Sequence, residues 1–542
     1  MSPSSGALSG ARSGALSEAA CDVLVVGAGP SGLFAACELL RRGVNVRIID
    51  RADGPSTVPK ALALWPRALD LLADLGIAGG LREAAEPVRA LSYFSGGSPL
   101  ARFEIPEKLR PLHLPQYETE RLLNERLEQL GGKVERGVRL LNFDADAADP
   151  GAVPLDGDHV LTALVETGDS ALRRLPARYV IGADGASSTV RGLLGTGFQG
   201  TTYPLTFALT DTRVRGRLPA GELLYYQAPT GTLMIAPLPD GIFRVLVVLP
   251  RAGQQVTQQM MQRYLDERGP GGVTLTEAVW TTVYRVHARQ ATEYRRGRIF
   301  LAGDAAHVHS PAGGQGMNNG LQDAHNLAWK LAAVLHGESP PTVLEDYTPE
   351  RRYATDRIIA ATDRQTRAWM AGSRPRIVLR DAAFRLAGRS GLVPRQVFPV
   401  MAGRRVAYPA DRDSQRPAGR TRCGLLERLP GRLRIGMVFP RATAVAHGFA
   451  GSRPGSGSPA GWTLVTVEPV PGLRPHRLLA DYPQVTAVRL ASREAGRATG
   501  CRAPGYYLVR PDGHIAAHGH AGDAARLDTE LRRHLLPQES RS

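Results

Sequence analysis

Three glycines and an acid carry the first chemistry of this chain: Gly27, Gly29 and Gly32 in DVLVVGAGPSGLFAACELL, and Asp50, 18 residues past the last of them. That spacing suits a pyrophosphate lying against glycine backbone, with the acid accepting ribose hydroxyls. A second set stands far along the chain in GRIFLAGDAAHVHSPAGGQGMNNGLQDAHNLAWKL, where Gly303 and Asp304 precede Gly313, Gly314 and Gly316. An acid there can bind a polyol, and the glycines let backbone approach a flat ring. A helix starting near Gln315 aims free N–H groups and its positive end at that ring. A reduced flavin is an anion, stabilised there by roughly 1–2 kcal/mol, and nicotinamide has no such need. The reading is therefore a resident FAD.

The elements that must position these residues follow from periodicity. Val23–Val26 reads as a buried strand, then a helix, then a second strand ending at Asp50. Helices are expected around Ala68–Leu75 and over Gln116–Leu130, and a strand runs into Gly182-Ala183-Asp184-Gly185. From Phe198 to Tyr284 the pattern turns to strands with PTG and PDG turns, which reads as a separate sheet-rich domain. Gln315–Leu335 is the best helix, with Leu321, Ala324, Ala328, Leu331 and Leu335 as its apolar stripe. Helices also read over 348–367 and 376–386. The resulting division is a disordered tail (1–20), an FAD-binding domain in two parts (21–197 and 291–402), a β-sheet substrate domain (198–290), a linker (403–424) and a small α/β domain (425–542). SRPGSGSPAG reads as a surface loop in the last of these.

Composition excludes several classes. The formal charge is +16, but only four basic residues are lysines and the arginines are dispersed, so no nucleic-acid groove is expected. No run approaches 18 apolar residues, so no membrane span is read and no membrane partner is expected. Cys21, Cys37, Cys423 and Cys501 form no CxxC pair, which points to a reducing cytoplasm. His307 and His309 lack a third ligand at metal-site spacing, so no metal is expected. No GxSxG elbow appears.

The three segments GAGPSG, GADGASSTVR and GRIFLAGDAAHVHSPAGGQGMNNGLQDAHNLAWKL resemble the three FAD motifs of the class A flavoprotein monooxygenases, built on the para-hydroxybenzoate hydroxylase fold. The likeness spans roughly 21–395. GYYLVRPDGHIAAHG is similar to the thioredoxin-like C-terminal domain of the phenol hydroxylase and aromatic polyketide hydroxylase branch, without its CxxC. The resemblance implies an α/β architecture: a Rossmann-like FAD-binding domain, an inserted β-sheet substrate domain and a thioredoxin-like tail.

It also implies roles. Gly27, Gly29 and Gly32 meet the pyrophosphate, Asp50 with Arg51 beside it meets the adenosine ribose, and Gln116 contacts FAD with Arg121 as a nearby candidate. Asp184 serves FAD and the nicotinamide donor. Gly303 and Asp304 meet the ribityl and pyrophosphate region, and Gly314, Gly316, Met317 and Asn318 line the pyrimidine edge. Where relatives carry arginine this chain has Lys60, which keeps a phosphate contact but loses bidentate geometry. The activity implied is NADPH or NADH reduction of FAD, O₂ addition at flavin C4a, and hydroxylation of a phenolic or polycyclic aromatic substrate by the hydroperoxide. Baeyer–Villiger insertion, oxidative inactivation of an aromatic antibiotic, and a non-catalytic flavin-binding subunit are the alternatives. Tyr225, Tyr226, Tyr284, Arg285 and His287 are the substrate candidates, of which strand alternation allows one from each adjacent pair on a face. A monomer or homodimer is expected.

Overall fold

The computed structural model describes residues 16–17, 20–143, 155, 159–228, 230–249, 255–311, 313–369, 374–409, 433–450, 461–467, 480–500, 504–520 and 524–538. Most of the expected tail, residues 410–424 of the expected linker, nearly all of the SRPGSGSPAG loop, Cys423 and Cys501 lie outside these. The first stretch forms β1 (Cys21–Val26), α1 (Pro30–Leu40), β2 (Val46–Asp50), α2 (Pro66–Asp74), β3 (Ala90–Ser95), β4 (Ser98–Glu104), α3 (Gln116–Gln129), β5 (Val134–Arg136), β6 (Arg139–Phe143), β7 (Leu161–Glu166), β8 (Leu172–Gly182) and α4 (Thr189–Leu193). Then come β9 (Phe198–Arg215), β10 (Glu222–Ala228), β11 (Gly231–Pro237), β12 (Ile242–Leu249), α5 (Gln258–Arg268) and β13 (Thr274–Ala291). The chain returns through β14 (Ile299–Leu301), β15 (His307–Val308), α6 (Gly316–Leu335), α7 (Tyr347–Trp369) and α8 (Arg374–Ser390). It ends in β16 (Trp462–Val467), β17 (Val485–Leu490), α9 (Ser492–Thr499), β18 (Gly505–Val509), β19 (Ile515–His520) and α10 (Ala524–His534).

The first sheet runs β6-β7-β8-β1-β2-β5, with β14 parallel to β8. Its central strands are parallel: Tyr179 pairs with Val23, and Val23 with Val46. Both faces are covered, which is why Val23–Val26 is a continuous apolar run rather than alternating. Helices α1 and α6 pack against each other, and α6 is buried along nearly all of its length. The expected stripe is therefore only part of its contact surface, because α6 is enclosed by α1, α2 and α7.

The second sheet runs β15-β13-β9-β12-β11-β10-β3-β4. Two of its strands, β3 and β4, come from before residue 198, and β3 joins β10 in parallel, Tyr93 opposite Tyr225. A local hydrophobic pattern cannot report such a long-range pairing. Helix α5 covers one face through Met260, Met261 and Leu265. The other face is the wall of the cavity described below.

The tail forms a four-stranded sheet in the order β17-β16-β18-β19, with β16 parallel to β17 and the other pairs antiparallel. This is the thioredoxin-like arrangement expected from its sequence. It is fastened behind α6 by buried charges. Arg510 is paired with Glu350 and with Asp512 (2.6 Å), and Trp329 and Asn326 of α6 both donate to Asp512. Among the described residues no helix is long and apolar enough to cross a membrane.

Candidate functional site

One cavity of about 1060 Å³ runs from the β1–α1 turn to the inner face of the second sheet. That slightly exceeds the roughly 300–1,000 Å³ of ordinary small-molecule sites, so it has room for more than one ligand group. At its first end Gly27 holds φ +104°, and a Cβ there would lie 2.5 Å from the Ala183 carbonyl oxygen. Gly32 lets α1 close on the turn, since its Cβ would fall 1.9 Å from the Gly27 oxygen. It shapes the cradle from behind and is absent from the cavity wall. Gly29 is the contrast: nothing lies within 4 Å of the place its Cβ would take. The N-terminus of α1 thus faces open space, with backbone N–H groups and the positive helix end ready for an anion.

Asp50 sits at the end of β2, its Oδ2 accepting from the Ala28 N–H (2.6 Å) and its Oδ1 from the Ala52 N–H (2.8 Å). These bonds aim the carboxylate at the cavity, which Arg51 also lines, as does Lys60. Gln116 accepts from the Ala61 N–H (3.2 Å) and donates to Glu120 (2.8 Å). Glu120 lines the cavity too, and burial pushes its carboxyl up. Its place one turn beyond Gln116 was a helical-periodicity signal that sequence reading passed over. Arg121 is not at the site. It is exposed on α3 and paired with Glu118 and Glu125, because five residues past Gln116 the helix has turned that side chain to solvent.

Against the Gly27 turn, Asp184 accepts from Ser188 Oγ (2.5 Å) and from the N–H groups of Thr189 and Val190, which binds it to the start of α4 as well as to the cavity edge. Asp304 projects into the cavity, and the enclosing protein raises its pKa. Gly303 is behind it, donating to Asp323 (3.0 Å). Asp323 also meets His307 (2.5 Å) and Arg351 (2.6 Å), a buried brace under the Asp304 turn. Gly314, Gly316 and Met317 line the cavity at the start of α6, whose N-terminus has no side-chain cap. Asn318 does not reach it. Its amide is committed to the Trp65 N–H (2.7 Å) and to the Ala63 (2.7 Å) and Gly314 (2.8 Å) carbonyls, tying this loop to the segment before α2. His309 lines the wall, its pKa lowered to about 4 by burial and by His307.

The far end is an apolar chamber in the second sheet. Tyr225, Leu209, Leu246 and Val286 belong both to the cavity wall and to one hydrophobic cluster. Tyr226 points the other way and stacks on Phe94 at 4.5 Å, as alternation along β10 requires. Tyr284, Arg285 and His287 all line the cavity: Tyr284 is stacked on Phe207 (5.8 Å), Arg285 is solvent-exposed, and His287 bonds to Thr202 (3.0 Å). Trp280, Thr282, Tyr284 and Val286 take every second position of β13 along the wall, and the β9–β13 register shifts beside Arg285 and His287, between Thr202 and Thr206.

Arg244 was missed. It is 3% exposed, holds Asp211 through two bonds of 2.7 and 2.8 Å, and donates to the carbonyls of Pro59 and Lys60. An arginine inside the apolar run IFRVLVVL was the available signal, since buried charges are normally paired.

The residues present fit FAD. An acid at the strand end, an open helix N-terminus, a further acid and a second uncapped helix N-terminus line one continuous space, the set of features that an adenosine, a pyrophosphate, a polyol and a flat ring need. Comparison with known proteins agrees. A family model described as FAD binding domain matches residues 20–362. The 6-methylpretetramide 4-monooxygenase of Streptomyces rimosus is 34% identical over 557 residues, covering 96% of this chain and 94% of that protein. Among solved structures, the OxyS anhydrotetracycline hydroxylase from Streptomyces rimosus superposes with a TM-score of 0.71 at 26% identity, covering 95% of this chain and 99% of that one. CabE, an aromatic hydroxylase from angucycline biosynthesis, gives 0.69 at 27% identity over 95% of this chain and 99% of its own. A family match over more than half the length, on a cavity built for a dinucleotide and an aromatic ring, means that the chain belongs to the FAD binding domain family and is an FAD-dependent aromatic monooxygenase.

Proposed function

We propose that the protein hydroxylates a polycyclic phenol of the aromatic polyketide type, with NADPH or NADH as reductant. The observation that carries this reading is the chamber itself: an apolar, aromatic-walled space continuous with the dinucleotide cradle, in a cavity of about 1060 Å³. The names of the relatives, a 6-methylpretetramide 4-monooxygenase and an anhydrotetracycline hydroxylase, support a fused-ring substrate.

Bound FAD supplies reduction by the nicotinamide nucleotide and activation of O₂. The protein's own groups bind, orient and exclude water. The α1 N-terminus and Lys60 hold the pyrophosphate, Asp50 and Glu120 the adenosine side, Asp304 the polyol, and the α6 N-terminus the pyrimidine edge, where positive potential favours the reduced form. The Tyr225 and Tyr284 rings offer flat faces to the substrate, while Arg285 and His287 at the rim meet its polar edge. Apolar side chains around them keep water from the reacting carbon.

The test is anaerobic absorbance stopped-flow of flavin reduction by NADPH and NADH, alone and with a panel of monocyclic phenols and fused-ring phenols, with mass analysis of aerobic products. Acceleration by fused-ring compounds and a product carrying one added oxygen atom are expected. Acceleration by monocyclic phenols alone would sink the substrate class, and oxygen inserted into a ring C–C bond would sink hydroxylation.

A further inference from the structure

Helix α8 is apolar on two sides. Its inner side seats Phe384, whose ring lies 4.6 Å from Tyr93, with Ala387 packed in the same cluster. Its outer side carries Leu379 at 73% exposure and Leu386 at 71%, with exposed Ala382 and Ala383 between them. Positions i, i+3, i+4 and i+7 form one continuous stripe, the side where a helix on a globular domain normally places polar residues. The following turn extends this surface with exposed Leu392, Val397 and Val400.

Charge says what covers it. From Pro375 to Arg405 the sequence holds seven arginines and one acid, Asp381, which is buried and paired with Arg380 (2.7 Å). Arg385, Arg389 and Arg395 are exposed and make no ion pair among the described residues. A second copy on this face would bring like charges together. A convex helix flanked by arginines is complementary instead to a deformable anionic surface, which needs no matching groove.

We propose that the α8 face docks on an anionic phospholipid membrane, its leucines in the interface and its arginines at the lipid phosphates. This departs from the expectation of no membrane contact drawn from the absence of a spanning segment. Docking would also bring the chamber close to the bilayer, because Phe384 packs on Tyr93 and Tyr93 stacks at 4.8 Å on Tyr225 of the cavity wall. A fused-ring substrate concentrates in lipid. That link rests on the function proposed above; the docking does not.

The experiment is sedimentation of the FAD-loaded protein with vesicles of phosphatidylcholine alone or of equal parts phosphatidylcholine and phosphatidylglycerol. Co-sedimentation with the mixed vesicles only is expected. L379E/L386E should weaken it at least about tenfold, from the loss of buried leucine area. R385Q/R389Q should weaken it by roughly fivefold per arginine. Both variants should keep their flavin absorbance, since these side chains are exposed. Protein left in the supernatant at both compositions would overturn the proposal. So would binding that L379E/L386E retains, which is charge attraction alone. A dimer on size exclusion that L379E/L386E dissolves, without vesicle binding, would assign the face to a second copy. Failure of fused-ring phenols to stimulate flavin reduction, with vesicle binding intact, would remove only the link to substrate.

Discussion

The Arg244 clamp gives the sharpest prediction. Arg244 rises from β12 and holds Asp211 of β9, itself 2% exposed, while its remaining donors reach the Pro59 and Lys60 carbonyls (2.6 Å to Lys60). It therefore joins the substrate sheet to the loop that carries Lys60 along the cavity. Arg244→Met fills similar space but leaves a buried carboxylate unpaired and two carbonyls without their donor. Removing one partner of a buried pair costs about 3–5 kcal/mol. Asp211→Asn on top of it removes the stranded charge, so the double variant should be more stable than the sum of the singles predicts, by about 1–3 kcal/mol. Urea unfolding would be followed by flavin release and by tryptophan fluorescence, for which Trp280, whose ring lies 5.7 Å from the guanidinium, is a local reporter. Arg244→Lys should keep one carbonyl contact but not the fork, and its FAD affinity should lie between wild type and methionine. If Arg244→Met falls within about 1 kcal/mol of wild type, or if the two substitutions add, the clamp is not coupled as argued.

Three other outcomes are expected. Gly29→Ala should fold normally yet lose FAD affinity, because its methyl enters the space before α1, whereas Gly27→Ala should lose both affinity and stability, since its methyl meets the Ala183 carbonyl at 2.5 Å. Equal thermal midpoints of the two apoproteins would contradict that contrast. His113, His309 and His514 are each held neutral, pushed down to about 4 by burial. On unfolding they regain a pKa near 6.5, so between roughly pH 6.5 and 4 the unfolded chain binds up to about three more protons and stability falls as pH falls. Glu120, pushed up by burial, offsets part of this near the acid end; a thermal midpoint that stays level or rises from pH 7 to 5 would refute the sign. Glu350→Gln should loosen the tail, because Lys330, fully buried and 2.8 Å from Glu350, loses its counter-charge and Arg510 is left with Asp512 alone, at a cost of about 3–5 kcal/mol. Limited proteolysis should then release a tail fragment from the variant before it does so from the wild type.

The sequence by itself determined the dinucleotide cradle and the order of its parts. Gly27 and Asp50 are legible because a tight turn with positive φ and a ribose-facing acid at a strand end are local demands, met within one β-α-β unit. The ends of α3 and α6 were likewise readable to within a residue or so, since helical periodicity is local. Tertiary structure alone decided which of these side chains share the cavity. Arg121 and Asn318 lie beside true lining residues in sequence, yet α3 turns the first to solvent and the pull of Trp65 and Ala63 draws the second into the core. The partnership of β3 with β10, the pairing of Arg244 with Asp211 and the burial of Glu350 against the tail all join residues more than 30 positions apart. Periodicity within a window carries no information about such contacts. They depend on which faces meet once the sheets have packed, and there a buried charge must find its partner.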